Sequence, residues 1–343
     1  MKLRNFGLVL CALALNSCTK NAVKMEPTGA GAPGKTESST SAACYSNPVV
    51  ANPSGDPYCF KYNGKFYMYR PESSNNSVIY NTSTDMISWS ATGTITLPSG
   101  TGAVWAPEVH EINGSLYLIF ADPSGTNGGR DIRVCKMSSP TSVGSNSPVT
   151  LVGNGDINID PSVYQDGSNY YLVWKNKSTG GSKIKIRQLK ATDPTQFAAG
   201  SSSSVIIPDA TGWPTNKEHP FLISQDYGSG QTRYFLFYNS GMGDTPDYRV
   251  NYATASSLTG PYTNKGVLIE KNASRNIYSV GGQSIVRDGD NYRWIVYRAK
   301  NTSDDGWDGR KPCIDRLFVD ATANTATSEA TRTQSAYCPA PLP

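Results

Sequence analysis

Short apolar stretches recur along the chain, and each is followed by a turn and then by a second stretch rich in aromatic residues. One unit reads DPYCFKYNGKFYMYR from Asp56, and another reads DPSVYQDGSNYYLVWK from Asp160. Apolar runs of about four to eight residues that are separated by Asn, Asp and Gly are typical of β-strands joined in tight hairpins. Helical periodicity over about a dozen residues is nearly absent. The pattern therefore predicts an all-β fold.

The hairpin phrase returns five times along the chain. A proline anchors each phrase, except that the last has a glutamine; the anchors are Pro57, Pro107, Pro161, Pro220 and Gln283. A period of roughly 50 to 60 residues with three or four strands per unit is the signature of a β-propeller. Five units predict a five-bladed β-propeller. Two packed β-sandwiches are the alternative, but they do not explain why the same phrase returns five times.

The N-terminal residues do not follow this pattern. Basic Lys2 and Arg4 precede an apolar run of about ten residues, which is too short to span a bilayer as a mature helix. We interpret residues 1–17 as a secretory signal peptide. The segment from Leu15 to Cys18 resembles the lipobox of bacterial lipoproteins, which implies cleavage before Cys18 and lipid attachment to its thiol. A plain secreted protein with a stray cysteine is the alternative.

Residues 18–43 are rich in Gly, Ala, Ser, Thr and Pro and contain almost no large apolar side chain. Such a segment cannot bury enough surface to offset chain entropy, so we expect a flexible tether that leads to a folded domain over residues 44–343. Residues 29–36 of the tether satisfy the phosphate-binding pattern G-x-x-x-x-G-K-[ST]. A phosphate loop must leave a buried strand and open a helix. Neither is predicted here, so we expect no nucleotide site.

Composition narrows the class of protein further. The formal net charge is +4, but the chain has no basic cluster of the kind that nucleic acid requires. The 20 tyrosines and 32 glycines suit an exported all-β protein with many turns and with aromatic surfaces for sugar rings. An odd number of cysteines follows the tether, so at least one is unpaired. Cys44 and Cys338 lie near the two ends of the domain, and a disulfide between them would fasten the termini of a circular fold.

Three carboxylates occupy matching positions in the repeats. Because the first strand of each propeller blade lines the central channel, matching positions lie at matching depth. Asp56 and Asp160 directly precede the anchoring proline in the first and third blades, and Glu218 lies one residue further upstream in the fourth. Close carboxylates raise one another's pKa, so that one stays protonated while another is ionised. Glycoside hydrolysis needs such an acid and such a base.

These residues, in this order, resemble glycoside hydrolase family 43, whose members are five-bladed propeller enzymes. The matching segments are GDPY (55–58), VWAPEV (104–109), IDPSV (159–163), KEHPFL (217–222), YATASSLTGPY (252–262) and DGRKPCIDRL (308–317). The resemblance implies an inverting mechanism with Asp56 as general base and Glu218 as general acid. It implies that Asp160 orients the acid and adjusts its pKa. It also implies that Arg310 contacts the sugar and that Trp105 forms a wall of the pocket.

Two departures from the family pattern concern substrate binding. The usual Glu-Gly-Pro of the fourth blade is Glu218-His219-Pro220 here, so His219 either narrows the pocket, bonds the substrate, adjusts the acid or only packs. Many members carry Gly-His in the fifth blade, where the His helps to hold a metal ion or water, whereas this chain has Gly282-Gln283. We include His219 and Gln283 among the substrate-binding candidates. No cofactor is expected to be required, with a structural calcium ion in the channel left open.

The predicted function is the exo-acting removal of a terminal pentose from plant polysaccharide or its fragments. The resemblance favours α-L-arabinofuranosidase activity first and β-xylosidase activity second. Endo-arabinanase action and a non-catalytic carbohydrate-binding lipoprotein are alternatives; a retaining fructosidase is disfavoured, because its NDPNG and RDP motifs are not found. We expect a monomer that binds carbohydrate but neither nucleotide nor nucleic acid. We expect it to be exported and anchored to a membrane through Cys18, at the periplasmic face or the cell surface.

Overall fold

The computed structural model describes residues 44–72, 76–98, 101–122, 129–179, 181–304 and 306–342. The proposed signal peptide, the lipidation site at Cys18, the tether and the glycine-rich phosphate pattern lie outside these residues and stay predictions. Within the described ranges, no helix combines the length and the apolar character needed to cross a membrane.

Consecutive antiparallel strands form the blades, and the short strand β1 (Tyr45–Ser46) precedes them. Blade one consists of β2 (Tyr58–Tyr62), β3 (Lys65–Glu72), β4 (Ser77–Ser83) and β5 (Gly93–Thr96). Blade two consists of β6 (Trp105–Ile112), β7 (Ser115–Asp122), β8 (Asp131–Lys136) and β9 (Val149–Val152). Blade three consists of β10 (Ile157–Asp166), β11 (Asn169–Ser178), β12 (Gly181–Leu189) and β13 (Ser204–Ile207).

The last two blades complete a five-bladed β-propeller, as the repeats predicted. Blade four consists of β14 (Glu218–Asp226), β15 (Thr232–Ser240), β16 (Arg249–Ala255) and β17 (Thr263–Ile269). A 3₁₀ turn (Ala273–Arg275) leads to blade five, which consists of β18 (Tyr278–Arg287), β19 (Arg293–Lys300) and β20 (Lys311–Arg316). The hairpin of β21 (Phe318–Asp320) and β22 (Thr325–Thr327) follows, and then β23 (Thr333–Gln334), which pairs with β1.

The N-terminal segment joins blade five and so closes the ring. The amide of Asn47 donates to the Ile314 carbonyl at 2.8 Å and accepts from the Ile314 N–H at 2.9 Å. The Val49 N–H donates to the Pro312 carbonyl at 2.9 Å. Because Ile314 and Pro312 lie in β20, the beginning of the domain supplies hydrogen bonds along the outer strand of the last blade.

A disulfide between Cys44 and Cys338 fastens the same closure and confirms the pairing expected of a circular fold. The other cysteines within the described ranges are free and buried, namely Cys59, Cys135 and Cys313.

Apolar side chains pack between neighbouring blades. Val173 and Ile186 of blade three, for example, share one buried cluster with Leu236 and Tyr238 of blade four. Burial of one large apolar side chain contributes about 1.5–3 kcal/mol. The interfaces between blades therefore hold the ring together.

A residue with positive φ occurs at the same place, near the start of the first strand, in every blade. These residues are Asp56 (46°), Ala106 (42°), Asp160 (55°), His219 (53°) and Gly282 (60°). In blades two to five the strand pairing shifts register around them. A left-handed conformation costs a residue other than glycine about 1–2 kcal/mol. Such strain is typical of functional sites, and bulges re-aim the side chains of a strand.

Candidate active site

The three predicted carboxylates meet at one end of the channel, although they belong to three blades. The Asp160 carboxyl lies within the electrostatic influence of both Glu218 and Asp56. The backbone N–H of His219, the residue after Glu218, donates to Asp160 Oδ2 at 3.0 Å. A Cβ added to Gly282 of blade five would lie only 2.5 Å from Asp56 Oδ1. The strained positions of four blades therefore bring these groups together.

Positive side chains surround Asp56. Arg298 Nε lies 3.9 Å from Asp56 Oδ1, and the guanidinium of Arg310 lies so close to Gly55 that a Cβ there would be 2.5 Å from Nη1. Burial alone would raise the pKa of Asp56, but His219, Arg298 and Arg310 outweigh it and hold the pKa below its ordinary value. Asp56 is therefore an ionised carboxylate, the form that a general base needs.

Three side chains hold Glu218. Lys175 Nζ lies 2.6 Å from Glu218 Oε2, and the Asn216 amide donates to the same oxygen at 3.1 Å. The Tyr248 hydroxyl donates to Oε1 at 2.7 Å. Burial raises the pKa of Glu218, but the Lys175 charge and the three hydrogen bonds outweigh it and lower the pKa below its ordinary value. Glu218 is therefore ionised in this structure, whereas a general acid must begin its reaction protonated.

The pKa of Asp160 is shifted in the opposite direction. Burial, with smaller contributions from the charges of Glu218 and Asp56, raises the pKa of Asp160 to about 6 against the opposing influence of His219 and Lys175. Because Asp160 and Glu218 act on each other, they behave as a pair that shares a proton. Below about pH 6 that proton lies on Asp160.

Gln283, a predicted substrate-binding residue, ties neighbouring blades together. Its side chain is fully buried; Nε2 donates to the His219 carbonyl at 2.8 Å, and Oε1 accepts from the Asn239 amide at 2.6 Å. Asn239 Oδ1 in turn accepts from the Gly282 N–H at 2.8 Å and lies 3.0 Å from the oxygen of the Tyr248 hydroxyl, whose proton points to Glu218. Both ends of the Gln283 amide thus engage the protein, and its contact with a substrate stays a prediction.

His219 is also largely buried, with 8% of its surface exposed. Its influence on the pKa values of Asp56 and Asp160 places its ring beside these carboxylates rather than at the protein surface. Its influence falls on Asp56 and Asp160, and the predicted adjustment of the acid Glu218 by His219 stays a prediction.

Within the described ranges, no group of three or more His, Cys, Asp or Glu side chains is placed to hold a metal ion. The position that is His in many family members is Gln283 here, and its amide is engaged by Asn239 and His219. In the part of the chain that the structure describes, the side chains therefore do not form a metal site, and no catalytic step is assigned to a calcium ion.

Two tryptophan rings make cation–π contacts with arginine side chains. The Arg130 guanidinium lies 4.0 Å from the centre of the Trp105 ring. Arg310 Nε donates to the Trp307 carbonyl at 2.6 Å, and the Arg310 guanidinium lies 4.8 Å from the centre of that ring. Trp307 is 55% exposed. Arg310 thus links Asp56 to an exposed aromatic side chain, the type of surface on which sugar rings stack.

Sequence reasoning missed Lys175 and Arg298. Both lie in the second strand of a blade, opposite a residue of the first strand just before its bulge. Lys175 is the strand partner of Ile159, and Arg298 is the strand partner of Gly281. Both are buried, with 6% and 1% exposure. Each directly follows an apolar run, YYLVW or WIVY. A charged residue that ends such a run in two repeats is the signal that could have found them.

Comparison with known proteins supports the resemblance. A sequence profile of "Glycosyl hydrolases family 43" matches residues 45–322. An arabinan endo-1,5-α-L-arabinosidase A of Aspergillus aculeatus is 27% identical over 259 residues, which cover 66% of this chain and 74% of that protein. An arabinoxylan arabinofuranohydrolase of Bacillus subtilis is 26% identical over 332 residues, which cover 80% of this chain but 62% of that protein. A thermostable family-43 glycoside hydrolase of known structure has a TM-score of 0.74 at 21% identity, covering 86% of this chain and 99% of that chain, and shows the same fold.

Proposed function

The chain belongs to glycosyl hydrolases family 43 and is a glycoside hydrolase; on that premise we propose that it removes a terminal pentose from plant polysaccharide or its fragments with inversion of configuration. α-L-Arabinofuranosidase activity is the first candidate and β-xylosidase activity the second. The names of the two relatives, an arabinosidase and an arabinofuranohydrolase, support arabinose-containing substrates. The observation that carries the proposal is the cluster of three carboxylates from three blades, in which the pKa of Asp56 and of Glu218 is lowered and that of Asp160 is raised.

In the proposed reaction Asp56 accepts a proton from a water molecule, and the water oxygen attacks the anomeric carbon. The bond from that carbon to the leaving oxygen breaks on the opposite face of the sugar, and the leaving oxygen takes the proton of Glu218. An inverting pair of carboxyl groups lies about 6.5–9.5 Å apart, because a water molecule must fit between the base and the sugar. Inversion at the anomeric carbon follows from this single displacement.

The arginines support this division of roles. Arg298 and Arg310 keep Asp56 ionised, and the guanidinium of Arg310 presents a planar set of donors that suits sugar hydroxyl groups. Trp105 is proposed as a wall of the pocket, with its ring steadied by Arg130.

Endo-arabinanase action is the second candidate function. The relative from Aspergillus aculeatus bears an endo-acting name. Trp307, exposed beside Arg310, offers a surface for a sugar unit next to the one that is cleaved. An endo-acting enzyme contacts several units of one chain, and an exo-acting enzyme needs fewer such surfaces.

We also propose that the protein is a monomer, and that it is exported and anchored through lipid on Cys18; the export and the anchor rest on the sequence of residues 1–18 alone. Two or more acyl chains make such an attachment stable. Replacement of Cys18 by Ala should release the protein from membranes into the soluble fraction. A membrane fraction that keeps the Cys18→Ala protein would contradict the anchor.

The function is tested by assaying the full chain on 4-nitrophenyl α-L-arabinofuranoside, β-D-xyloside and β-D-galactofuranoside beside arabinan and arabinoxylan. The Asp56→Asn variant is the control, because it keeps the size of the side chain but removes the base. We expect release from one sugar by the wild type and near-complete loss in the variant. Binding of glycans without turnover on any of these substrates would favour the non-catalytic alternative.

A further inference from the structure

Lys175 is an unexpected neighbour for a carboxyl group that serves as an acid. It belongs to β11 of blade three and is 6% exposed. Its Nζ lies 2.6 Å from Glu218 Oε2 and donates to Asn216 Oδ1 at 3.0 Å. A charged group at this depth persists only when it is paired. Glu218 is therefore both the partner that stabilises Lys175 and the group from which the leaving oxygen must take a proton.

The hydrogen bonds around Glu218 favour its carboxylate form. All three described partners of its oxygens donate: Lys175 and Asn216 to Oε2, and Tyr248 to Oε1. A proton on either oxygen would face a donor unless the Tyr248 hydroxyl turned or an acceptor arrived. The leaving oxygen of a bound substrate is such an acceptor. An opposite charge at this range favours the ionised form of a carboxyl by about 1–3 pKa units.

Other charged or titratable groups lie around Glu218 and around its neighbours Asp160 and Tyr248. Asp160 from β10 acts on Glu218 itself, and Tyr248 of blade four bonds it. His219 of blade four and Asp56 of blade one act on Asp160, and Arg298 from β19 acts on Tyr248. Of these, Asp160 opposes ionisation of Glu218. Lys175 is the cation that bonds Glu218 directly.

We propose that Lys175 is a positioning residue that fixes the Glu218 carboxyl at the end of the channel and sets the pH above which the protein no longer holds the proton that the leaving oxygen needs. The inference rests on the proposed glycosidase function. The Asp160–Glu218 pair holds one proton, which moves to Glu218 as the leaving oxygen approaches and then to that oxygen as the glycosidic bond breaks. Both carboxyl groups are then ionised, Lys175 neutralises Glu218, and solvent returns a proton before the next turnover.

The test is the pH dependence of kcat/KM for an oligosaccharide of the sugar that the wild type releases. Lys175→Met removes the charge and keeps an unbranched side chain that is one atom shorter. Since loss of the charge raises the pKa of Glu218 and of Asp160, the pair keeps its proton to higher pH. We expect the alkaline limb of the profile to move to higher pH by about one unit or more. Lys175→Arg keeps the charge and should leave the limb near its original position.

Lys217→Met is the matched control. Lys217 is also buried and directly precedes Glu218, but its Nζ lies 3.2 Å from Asp209 Oδ1 and donates to the Pro214 carbonyl at 2.7 Å. Its replacement should lower stability without moving the alkaline limb. Lys175→Gln is the second variant, because its amide is polar and uncharged and can hydrogen-bond in the same buried place. It should move the limb even if Lys175→Met does not fold.

A 4-nitrophenyl glycoside separates proton donation from folding, because its leaving group needs little protonation. On that substrate kcat/KM should fall only slightly at alkaline pH, for the wild type and for every variant. If the Lys175 variants lose activity equally at every pH and the limb of Lys175→Gln stays in place, Lys175 is only structural and the inference is overturned. A wild type that hydrolyses none of the glycosides would instead overturn the proposed function.

Discussion

Removal of the Cys44–Cys338 disulfide should lower the free energy of unfolding by several kcal/mol without changing the folded site. The two cysteines are separated by 294 positions, so the bond closes almost the whole propeller into one covalent ring. In the chain-entropy treatment, a closed loop of this length restricts the unfolded chain by about 5–6 kcal/mol at 25 °C. Native disulfides contribute about 2–5 kcal/mol when measured, so we expect the free energy of unfolding to fall by about 2–5 kcal/mol.

The folded state should survive the change, because hydrogen bonds also join the N-terminal segment to the C-terminal part of the domain. β1 still pairs with β23, and Asn47 still bonds Ile314 in blade five. The loss therefore acts through the unfolded chain, which gains conformations when the ends separate. Activity measured at 25 °C on the released sugar should stay close to that of the wild type.

The assay is urea unfolding, followed by tryptophan fluorescence, of the wild type and of the Cys44→Ser/Cys338→Ser double variant. Reductant should lower the urea midpoint of the wild type to that of the variant and should leave the variant unchanged. A midpoint that is equal in the two proteins before reduction would refute the reasoning, since it would mean that ring closure does not restrict the unfolded chain.

Three further predictions follow from single side chains. Burial raises the pKa of Asp315 to about 6, above the unfolded value of about 3.9. Protonated Asp315 therefore stabilises the folded state fully below about pH 4, and this contribution to the free energy of unfolding is lost as the pH rises to about 6. Relative to Asp315→Asn, the wild type should lose about 3 kcal/mol over that window in urea unfolding, and a constant difference would contradict the buried acid. Gly282→Ala places a Cβ 2.5 Å from Asp56 Oδ1 and should lower kcat/KM about 100-fold; Gly114→Ala, also at positive φ but with nothing within 4 Å, should keep its activity. Trp307→Ala should raise KM for oligosaccharides but not for a 4-nitrophenyl glycoside, and an equal change for both would argue against a second sugar surface at Trp307.

The repeats made the fold predictable, because one local pattern carries the whole architecture. The Asn-Gly pairs at Asn63-Gly64 and Asn113-Gly114, which join strands in blades one and two, have positive φ at both residues, between 46° and 73°. Turns of this kind fix which strands pair, and five copies of one hairpin leave few ways to bury their apolar faces. The Cys44–Cys338 bond was predictable for the same reason, since a closed ring brings its ends together.

The electrostatic partners of the site were not predictable in the same way. Lys175 is 43 residues from Glu218 along the chain, and Tyr248 is 30 residues away. The Lys175 contact depends on the stagger and twist of blades three and four, and the Tyr248 contact depends on the path of the loop before β16. No local pattern contains either of them. Residues before an anchoring proline could be aligned by repeat, but side chains that reach across a blade interface could not. The sequence therefore predicted which carboxyl groups meet and not which of them is ionised.

The most direct test of the central claim is the anomeric configuration of the sugar that is first released, followed by proton NMR during hydrolysis of the best substrate. A site in which Asp56 activates water and Glu218 protonates the leaving oxygen predicts a first product of inverted configuration, and no product from Asp56→Asn. A first product of retained configuration, or turnover by Asp56→Asn near the wild-type rate, would contradict it.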